Sequence, residues 1–405
     1  MSYPSRPLRV YLVTEAVMAA AFALAYTLQG LYFFQTVGLT PFELLLVGAA
    51  LELSTFVLEV PTGVLADAFS RKWSVVLGCA TLGAAMLLVG SFPVFVVILA
   101  AQVVSAVGYT CLSGAQEAWL ADELGEDCLG GALLLGGQYA RVAGVLGILG
   151  AAGLSGVGGP ALCIVAGGGT MLILAAFLAR AMPEEKFAPA APGERHTWSG
   201  LTAPLVQGAR EVRGRPVLIL LIVAAALYGA STEALDRLNE FLLLRETGLP
   251  GGLSAQGWFI ALALAGSGLG WAVLEPLRRR LDLSQPAQVA RTLRVVLGLS
   301  VAALLAFALA PGFGWAAGAL LIHGVLRGLY SPLYAAWLNQ GLPPGSRATI
   351  NSFASQADAL GQVSCGPLFG LAGNLWGVRA ALALAAFVRL PTLPLLSRAG
   401  KGDLR

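Results

Sequence analysis

The sequence predicts an all-α membrane protein with twelve transmembrane helices in two pseudo-symmetric six-helix bundles. Apolar stretches of about twenty residues, each long enough to cross a hydrocarbon core about 30 Å thick, recur along nearly the whole chain. Short motifs of the first half return in the second. Of the 405 residues, 57% are hydrophobic and 12% are charged, and the mean hydropathy is +0.77. Soluble domains carry about a quarter charged residues, so a soluble fold is excluded.

The spans follow from the apolar runs between polar or Pro/Gly punctuation. Six lie on each side of the longest polar stretch. We therefore expect an N-terminal bundle at 1–180, a cytoplasmic linker at 181–215 and a C-terminal bundle at 216–405. The predicted spans are 9–34, 42–66, 73–92, 93–123, 129–154, 158–180, 216–245, 254–277, 288–310, 313–340, 348–373 and 376–397.

Basic residues lie mostly on one side of these spans. With the amino terminus inside, nineteen of the 25 lysines and arginines fall in inner segments, and only Arg245 and Arg379 fall in outer ones. Because lysine and arginine favour the cytoplasmic side, both termini are expected in the cytoplasm. Arginine far outnumbers lysine beside abundant alanine and glycine, which is typical of a high-GC bacterium. The expected location is the bacterial inner membrane.

The two halves share motifs at a nearly constant shift. Arg71 follows Asp67 by four residues, and Arg279 follows Glu275 by four residues, 208 positions later. A parallel duplication explains these repeats and predicts a substrate site between the halves. Pairs separated by 218 residues are Ser113 and Ser331, Trp119 and Trp337, and Gln138 and Gln356.

Charges inside the spans are unevenly distributed. An ionised side chain at mid-membrane costs several kcal/mol, so it normally faces a partner or a wet cavity. Predicted spans three, six and nine contain none beyond Arg180, Arg291 and Arg294 at their inner ends, which fits bundles whose third and sixth helices stand outside a central cavity. Arg389 in span twelve is expected to snorkel toward the inner interface. The other spans hold Glu15, Glu52, Glu59, Glu117, Arg141, Glu233, Asp236, Arg237, Glu240, Arg327 and Asp358.

The segment Gly63–Lys72 resembles the loop signature between spans two and three of the major facilitator superfamily. The span count, the central linker and the duplicated halves agree with that family, so the resemblance implies the major facilitator fold. Ala68 and Ser70 depart from the pattern, which usually has a basic residue after the aspartate and a glycine before the arginine.

The resemblance implies a cytoplasmic gate. Asp67 would lie near the start of the third helix, and Arg71 would reach Asp122 or Glu123 at the end of the fourth, in pairs that break during transport. The alternative is that Arg71 and Lys72 merely obey the positive-inside rule. The gate candidates are Gly63, Asp67, Arg71, Lys72, Asp122, Glu123, Glu275 and Arg279.

Two further segments, 113–119 and 356–362, look similar to bacterial drug-efflux members of that superfamily, particularly tetracycline-resistance-like proteins. The resemblance implies an efflux antiporter that confers antibiotic resistance. The fourth-span arginine found in many proton-coupled relatives is missing here, and Gln102 is the nearest polar residue.

The best candidates for proton coupling are Asp358, near the middle of span eleven, and Glu117, about two turns inside span four. A secondary antiporter needs a carboxylate whose protonation alternates with substrate binding. The alternative is a fixed ion pair of either acid with Arg141 or Arg327. Arg327 could also hold an anionic group.

Span seven carries a charged cluster in its outer half. Glu233 and Arg237 are neighbours one helical turn apart, and Asp236 lies beside them. The cluster fits an outer gate, a cavity wall that contacts substrate, or an interhelical salt-bridge cluster. His323 on span ten is expected to be a packed, hydrogen-bonded residue rather than a proton carrier.

These features favour proton-coupled efflux of amphiphilic small molecules. The span acids outnumber the bases, which favours a lipophilic cation as substrate. Uptake of a nutrient or metabolite is the alternative. A membrane-embedded enzyme is a remote one, because no nucleophile, metal or phosphate-loop arrangement is recognisable. We expect no cofactor, no metal and no nucleic acid, and a monomer in the lipid bilayer that binds its substrate and protons.

Overall fold

The computed structural model describes residues 5–187, 209–281 and 285–399, and every regular element in these ranges is helical. Three π-helical turns, Phe33–Val37, Leu242–Glu246 and Gly270–Leu274, extend or connect α-helices. The α-helices are α1 (Arg6–Tyr26), α2 (Gln29–Tyr32), α3 (Pro41–Ala68), α4 (Arg71–Ser91), α5 (Phe95–Leu112), α6 (Ala115–Leu124), α7 (Glu126–Ala181), α8 (Pro216–Phe241), α9 (Ala255–Leu269), α10 (Glu275–Arg279), α11 (Pro286–Ala308), α12 (Phe313–Leu338), α13 (Pro344–Trp376), α14 (Val378–Arg389) and α15 (Thr392–Ala399).

Nine helical stretches of the described residues are long and apolar enough to cross a membrane. One of them, α7, has 56 residues and turns back at Gly158 and Gly159, where Gly159 takes a φ of 69°. The reversal brings Cys163 Sγ within 3.6 Å of the Ala151 carbonyl oxygen, although a straight helix would separate these residues by about 18 Å. With both arms of α7 and the long, more polar helices α12 and α13, the count is consistent with the twelve predicted crossings.

Several predicted spans consist of more than one helix, as two examples show. Span 93–123 contains α5 and α6, because Gly114 takes a φ of 73° between them, a conformation that favours glycine. Span 376–397 contains α14 and α15, which are separated at Leu390 and Pro391. The apolar runs located the crossings, whereas the breaks depend on single backbone conformations.

The chain packs into two compact units. The first contains Met1–Gly38, Leu53–Arg195 and Leu253–Leu264, and the second contains Leu39–Glu52, His196–Gly252 and Ala265–Arg405. The units therefore differ from the predicted division at 181–215 in two short segments. These segments begin at Leu39 and Leu253, 214 positions apart, a shift similar to that of the sequence repeat.

The first unit is held together by close contacts between helix backbones. α7 packs against α1 and α4. A Cβ atom on Gly147 would lie 2.3 Å from the Ala20 carbonyl oxygen, and one on Gly83 would lie 2.8 Å from the Gly168 carbonyl oxygen. Small residues let membrane helices approach closely without help from the hydrophobic effect. The many glycines of α7 are therefore part of its packing.

In the second unit, α8 packs against α13, α14 and α15, and α11 packs against α12. Leu221 on α8 and Leu293 on α11 are fully buried, and Leu333 on α12 is 1% exposed. These residues belong to one hydrophobic cluster. The central position of α8 brings its charged residues close to several other helices.

We expect Gly147→Ala to lower the stability of the purified protein by about 1–3 kcal/mol, because the added methyl would collide with the backbone of α1. Gly144→Ala is the matched control, since nothing lies within 4 Å of its ideal Cβ position. The control gains up to about 1 kcal/mol from helix propensity. Thermal unfolding in detergent measures both, and equal shifts would contradict the packing described here.

Candidate functional site

The charged cluster of α8 contains a buried ion pair. Glu233 and Arg237 lie one turn apart, and Arg237 Nε is 2.9 Å from Glu233 Oε1. The Glu233 side chain is only 4% exposed, so the pairing lowers the cost of placing its charge away from water. Glu52 on α3 also acts electrostatically on Arg237. The outer cluster predicted from the sequence is thus at least partly an ion-pair cluster.

Glycine makes room for this pair. A Cβ atom on Gly48 of α3 would lie 1.6 Å from Glu233 Oε1 and 2.7 Å from Arg237 Nε. From α13, the corresponding position on Gly366 lies 3.5 Å from Glu233 Cγ. The first half of α3 therefore packs directly on the charged face of α8, and a side chain at position 48 would displace the pair.

The same part of α3 also contacts α13 closely. A Cβ atom on Gly370 would lie 2.8 Å from the Phe42 Cα atom, and one on Gly373 would lie 2.9 Å from Pro41 Cβ. The Phe42 backbone amide donates a hydrogen bond to Asn374 Oδ1 at 3.2 Å. This contact explains why Leu39–Glu52 belongs to the second unit.

A second ion pair joins α8 to α12. Arg327 Nη1 lies 2.5 Å from Asp236 Oδ1, and the two side chains are 46% and 41% exposed. Because charged groups this exposed would be costly against lipid tails, this face of the unit is expected to meet water. Asp236, rather than the Asp358 considered in the sequence analysis, is the acid that holds Arg327.

Asp358 on α13 is half-buried. Its Oδ2 accepts a hydrogen bond from Gln362 Nε2 at 2.7 Å. Arg327 and Arg389 act on it electrostatically, yet Asp358 forms none of the ion pairs found among the described residues. A Cβ atom on Gly229 of α8 would lie 2.2 Å from the Asp358 carbonyl oxygen. Among the described residues, Asp358 is therefore a carboxylate held close to α8 that forms no ion pair with an arginine or lysine.

Arg389 does not snorkel, and that prediction was wrong. The side chain is 0% exposed, and Nη1 donates to Ser300 Oγ at 2.8 Å. The guanidinium carbon lies 4.5 Å from the ring centroid of Tyr228. A hydroxyl and an aromatic face therefore hold the cation inside the unit. His323, 2% exposed, lies with Nδ1 3.3 Å from the Ser300 carbonyl oxygen, as a packed helix residue would.

Three tyrosines continue from this cation in one stack. The rings of Tyr228 and Tyr330 are nearly parallel with centroids 3.9 Å apart, and those of Tyr330 and Tyr334 are 5.4 Å apart. Asp358 acts electrostatically on Tyr334. Asp358 Oδ1 lies 2.7 Å from the ideal Cβ position of Gly229, which directly follows Tyr228, so the carboxylate and the stack meet the same turn of α8. Sequence reasoning missed this arrangement because stacking between α8 and α12 leaves no local signal.

The candidates of the first unit lie on exposed positions. Glu117 on α6 and Arg141 on α7 are both exposed, and Glu117 acts electrostatically on Tyr11. Next to Glu117 in the chain, Gln116 Nε2 donates to Glu15 Oε1 at 2.6 Å. Because Glu117 and Arg141 are exposed, both side chains can contact water or a solute.

Among the described residues, the predicted cytoplasmic gate includes an ion pair in the first unit. Arg71 Nη1 contacts the Asp122 carboxylate. Glu123, the alternative partner predicted for Arg71, binds elsewhere. It is 7% exposed, and its Oε1 accepts hydrogen bonds from the backbone amides of residues 185 and 186 at 2.7 and 3.1 Å. The two neighbouring acids thus bind different parts of the chain.

The start of the linker is bound to the ends of α4 and α6. Glu184 Oε2 accepts a hydrogen bond from Ser70 Oγ at 2.6 Å, and Oε1 accepts one from the Lys72 backbone amide at 2.9 Å. A carboxylate is favourable at the N-terminus of a helix such as α4. Trp119 Nε1 donates to the Pro183 carbonyl oxygen at 2.6 Å. Sequence reasoning missed Glu184 because it was grouped with a solvated linker.

The remaining gate candidates lie in the last part of α3 and on α10. The backbone of Asp67 lies near the end of α3 rather than at the start of the next helix, and its side chain lies outside the described part of the structure. Gly63 lies within α3 with nothing within 4 Å of its ideal Cβ position. Arg279 Nε lies 3.3 Å from Glu275 Oε1, and its side chain is 76% exposed.

Comparisons with known proteins agree with this architecture. A model of the Major Facilitator Superfamily matches residues 11–365. The uncharacterized MFS-type transporter YxaM of Bacillus subtilis (strain 168) is 22% identical over 362 residues, which cover 86% of this chain and 85% of that protein.

Solved structures show the same fold at low sequence identity. The nucleoside transporter NupG has a TM-score of 0.75 at 12% identity, covering 98% of this chain and 99% of its own. A bacterial homolog of the human lysosomal transporter Spinster, inward-facing and unoccupied, has a TM-score of 0.68 at 16% identity, covering 99% and 96%. A POT family transporter in complex with a thioalcohol conjugated peptide has a TM-score of 0.70 at 11% identity, covering 97% and 96%.

The family match spans most of the chain, and the described residues form the helices that this fold requires. The chain therefore belongs to the major facilitator superfamily, whose members are membrane transporters rather than enzymes.

Proposed function

We propose that the protein exports amphiphilic small molecules in exchange for protons, by alternating access of its two halves. The observation that carries the proposal is Asp358. It is half-buried, is hydrogen-bonded by the neutral Gln362, and forms none of the ion pairs found among the described residues. Such a carboxylate can bind either a proton or a cationic substrate, and competition between the two couples their movements.

The distribution of charge in the second unit supports a cationic substrate. Arg237 and Arg327 are paired with Glu233 and Asp236, so these four charges neutralise one another. Arg389 is fully buried against Ser300 and Tyr228, whereas Asp358 is half-buried and lies against Gly229, the residue that follows Tyr228. A carboxylate next to aromatic rings attracts a lipophilic cation by charge and by cation–π contact.

The direct test is a compound-susceptibility panel in a pump-deficient host, followed by transport in inverted vesicles. We expect the protein to reduce susceptibility to some lipophilic cations, and an imposed pH gradient to drive their accumulation. Protection without pH-driven accumulation would remove proton exchange from the proposal.

Uptake is the second candidate. Two of the similar folds belong to a nucleoside transporter and to a transporter crystallised with a peptide conjugate. The fold fixes neither substrate nor direction. Growth of an auxotrophic host on nucleosides or short peptides, with no change in drug susceptibility, would favour uptake.

We further propose a cytoplasmic gate on a monomer in the bacterial inner membrane, with both termini in the cytoplasm and the linker at 181–215 connecting its halves. Arg71 and Asp122 would close the inner end of the first unit. The linker contacts of Glu123 and Glu184 lie at the same end. Opening of the gate would therefore also move the start of the linker. Glu275 and Arg279, the counterparts of Asp67 and Arg71 in the sequence repeat, form an ion pair in the second half.

Asp358→Asn is expected to abolish pH-driven accumulation while the protein still reaches the membrane. Asparagine keeps the size of the side chain and can still bond to Gln362, but it cannot take up a proton. Asp127→Asn, at an exposed position at the start of α7, is the matched control. Unchanged accumulation in the Asp358 variant would exclude this residue as the coupling group.

Arg71→Gln and Asp122→Asn are each expected to impair transport, and the double variant to be little worse than either alone, because both changes break one contact. Lys72→Gln is the control, since it removes the same charge from the same turn. Vesicle transport and the orientation of the inserted protein are measured together. If Lys72→Gln and Arg71→Gln had equal effects, the arginine would serve only the positive-inside rule.

A further inference from the structure

α12 contains a proline that removes one of its own hydrogen bonds. Pro332 lies inside this helix. Proline has no backbone N–H, so the carbonyl four residues earlier loses its α-helical donor. That carbonyl belongs to Gly328, which directly follows Arg327. A carbonyl left unbonded within a membrane is costly, so another donor is needed.

Arg278 supplies this donor. Its Nε and Nη2 atoms both donate to the Gly328 carbonyl oxygen, at 3.1 and 2.7 Å. Hydrogen bonds from a charged donor are stronger than those between neutral groups. The guanidinium thus takes the place of the amide that Pro332 lacks.

The approach of the two helices depends on small size at position 328. A Cβ atom on Gly328 would lie 2.4 Å from Leu274 Cδ2. Leu274 ends the π-helical turn that follows α9, and Arg278 lies four residues later on α10. Residues at this spacing share a helix face, so both side chains meet α12 at the same point.

We infer that Arg278 is a positioning residue, which bonds the carbonyl freed by Pro332 and so holds Arg327 against Asp236. Arg327 is adjacent to the bonded carbonyl, and its Nη1 lies 2.5 Å from Asp236 Oδ1. Arg278 lies within the repeated segment Glu275–Arg279, so this segment is linked to the Asp236–Arg327 pair between α8 and α12. The consequence for transport rests on the proposed function, whereas the linkage itself does not.

A double-mutant cycle between positions 278 and 332 tests the linkage in the purified protein. Arg278→Met is expected to speed hydrogen–deuterium exchange of the α12 amides around Gly328 by about tenfold, in line with the loss of a charge-assisted hydrogen bond. In the Pro332→Ala background the same change should have little effect, because the restored amide at position 332 donates to Gly328. Arg278→Lys keeps one charged donor and should be intermediate.

Arg280→Met is the matched control, because Arg280 lies in the same turn and is exposed. An equal acceleration by Arg278→Met in both backgrounds, or one no larger than that of Arg280→Met, would overturn the inference. If Pro332→Ala does not fold, the exchange rates of wild type, Arg278→Lys and Arg278→Met test the inference, and they should increase in that order. Equal rates in all three proteins would overturn it.

Transport assays separate this inference from the proposed function. Once a transported substrate is known, Arg278→Met should change the KM or kcat of transport. Adding Pro332→Ala to the Arg278→Met variant should restore the wild-type value. If wild type moves no compound in the panel, the proposed function fails, and the exchange result still decides the role of Arg278.

Discussion

The cost of charge inside a hydrocarbon layer is the constraint on which the rest of this structure depends. The second unit meets it with the Glu233–Arg237 pair on α8 and the Asp236–Arg327 pair between α8 and α12. Among the described residues, no carboxylate pairs with the Arg389 cation, which contacts Ser300 and an aromatic ring instead. All three arrangements include residues of α8, and two of them join this helix to α12 and α14, which gives α8 its central place.

Glycine residues allow the close helix contacts of the second unit, including those of α8. Gly48 allows α3 to pack on a buried ion pair, Gly229 allows α8 to pack on the backbone of Asp358, and Gly328 allows Leu274 to pack on α12. In each case an added methyl would meet backbone, a charged side chain or a tightly packed leucine. The polar chemistry of the second unit and its close helix contacts are therefore one structural problem, in which small residues bring charged groups into reach.

Near Pro332 and at the start of the linker, side chains also bind backbone groups that need hydrogen-bond partners. Where Pro332 removes a donor from α12, Arg278 replaces it. At the start of α4, Glu184 accepts a hydrogen bond from the Lys72 amide, and at the end of α6, Glu123 accepts hydrogen bonds from the amides of residues 185 and 186. Membrane helices must satisfy such groups within the protein. Side chains that looked like ordinary inner-face charges in the sequence therefore have specific backbone partners.

The sequence by itself determined the class, the crossings and the positions of charge within them, because hydropathy and repeats are properties of the chain read in order. Asp358, Arg327 and Asp236 could all be singled out this way. Only the tertiary structure decided that Arg327 binds Asp236, that Arg389 is buried and that Arg278 bonds a distant carbonyl. These outcomes depend on how each helix is rotated and how closely it approaches residues far away in sequence, and a one-dimensional pattern carries neither quantity.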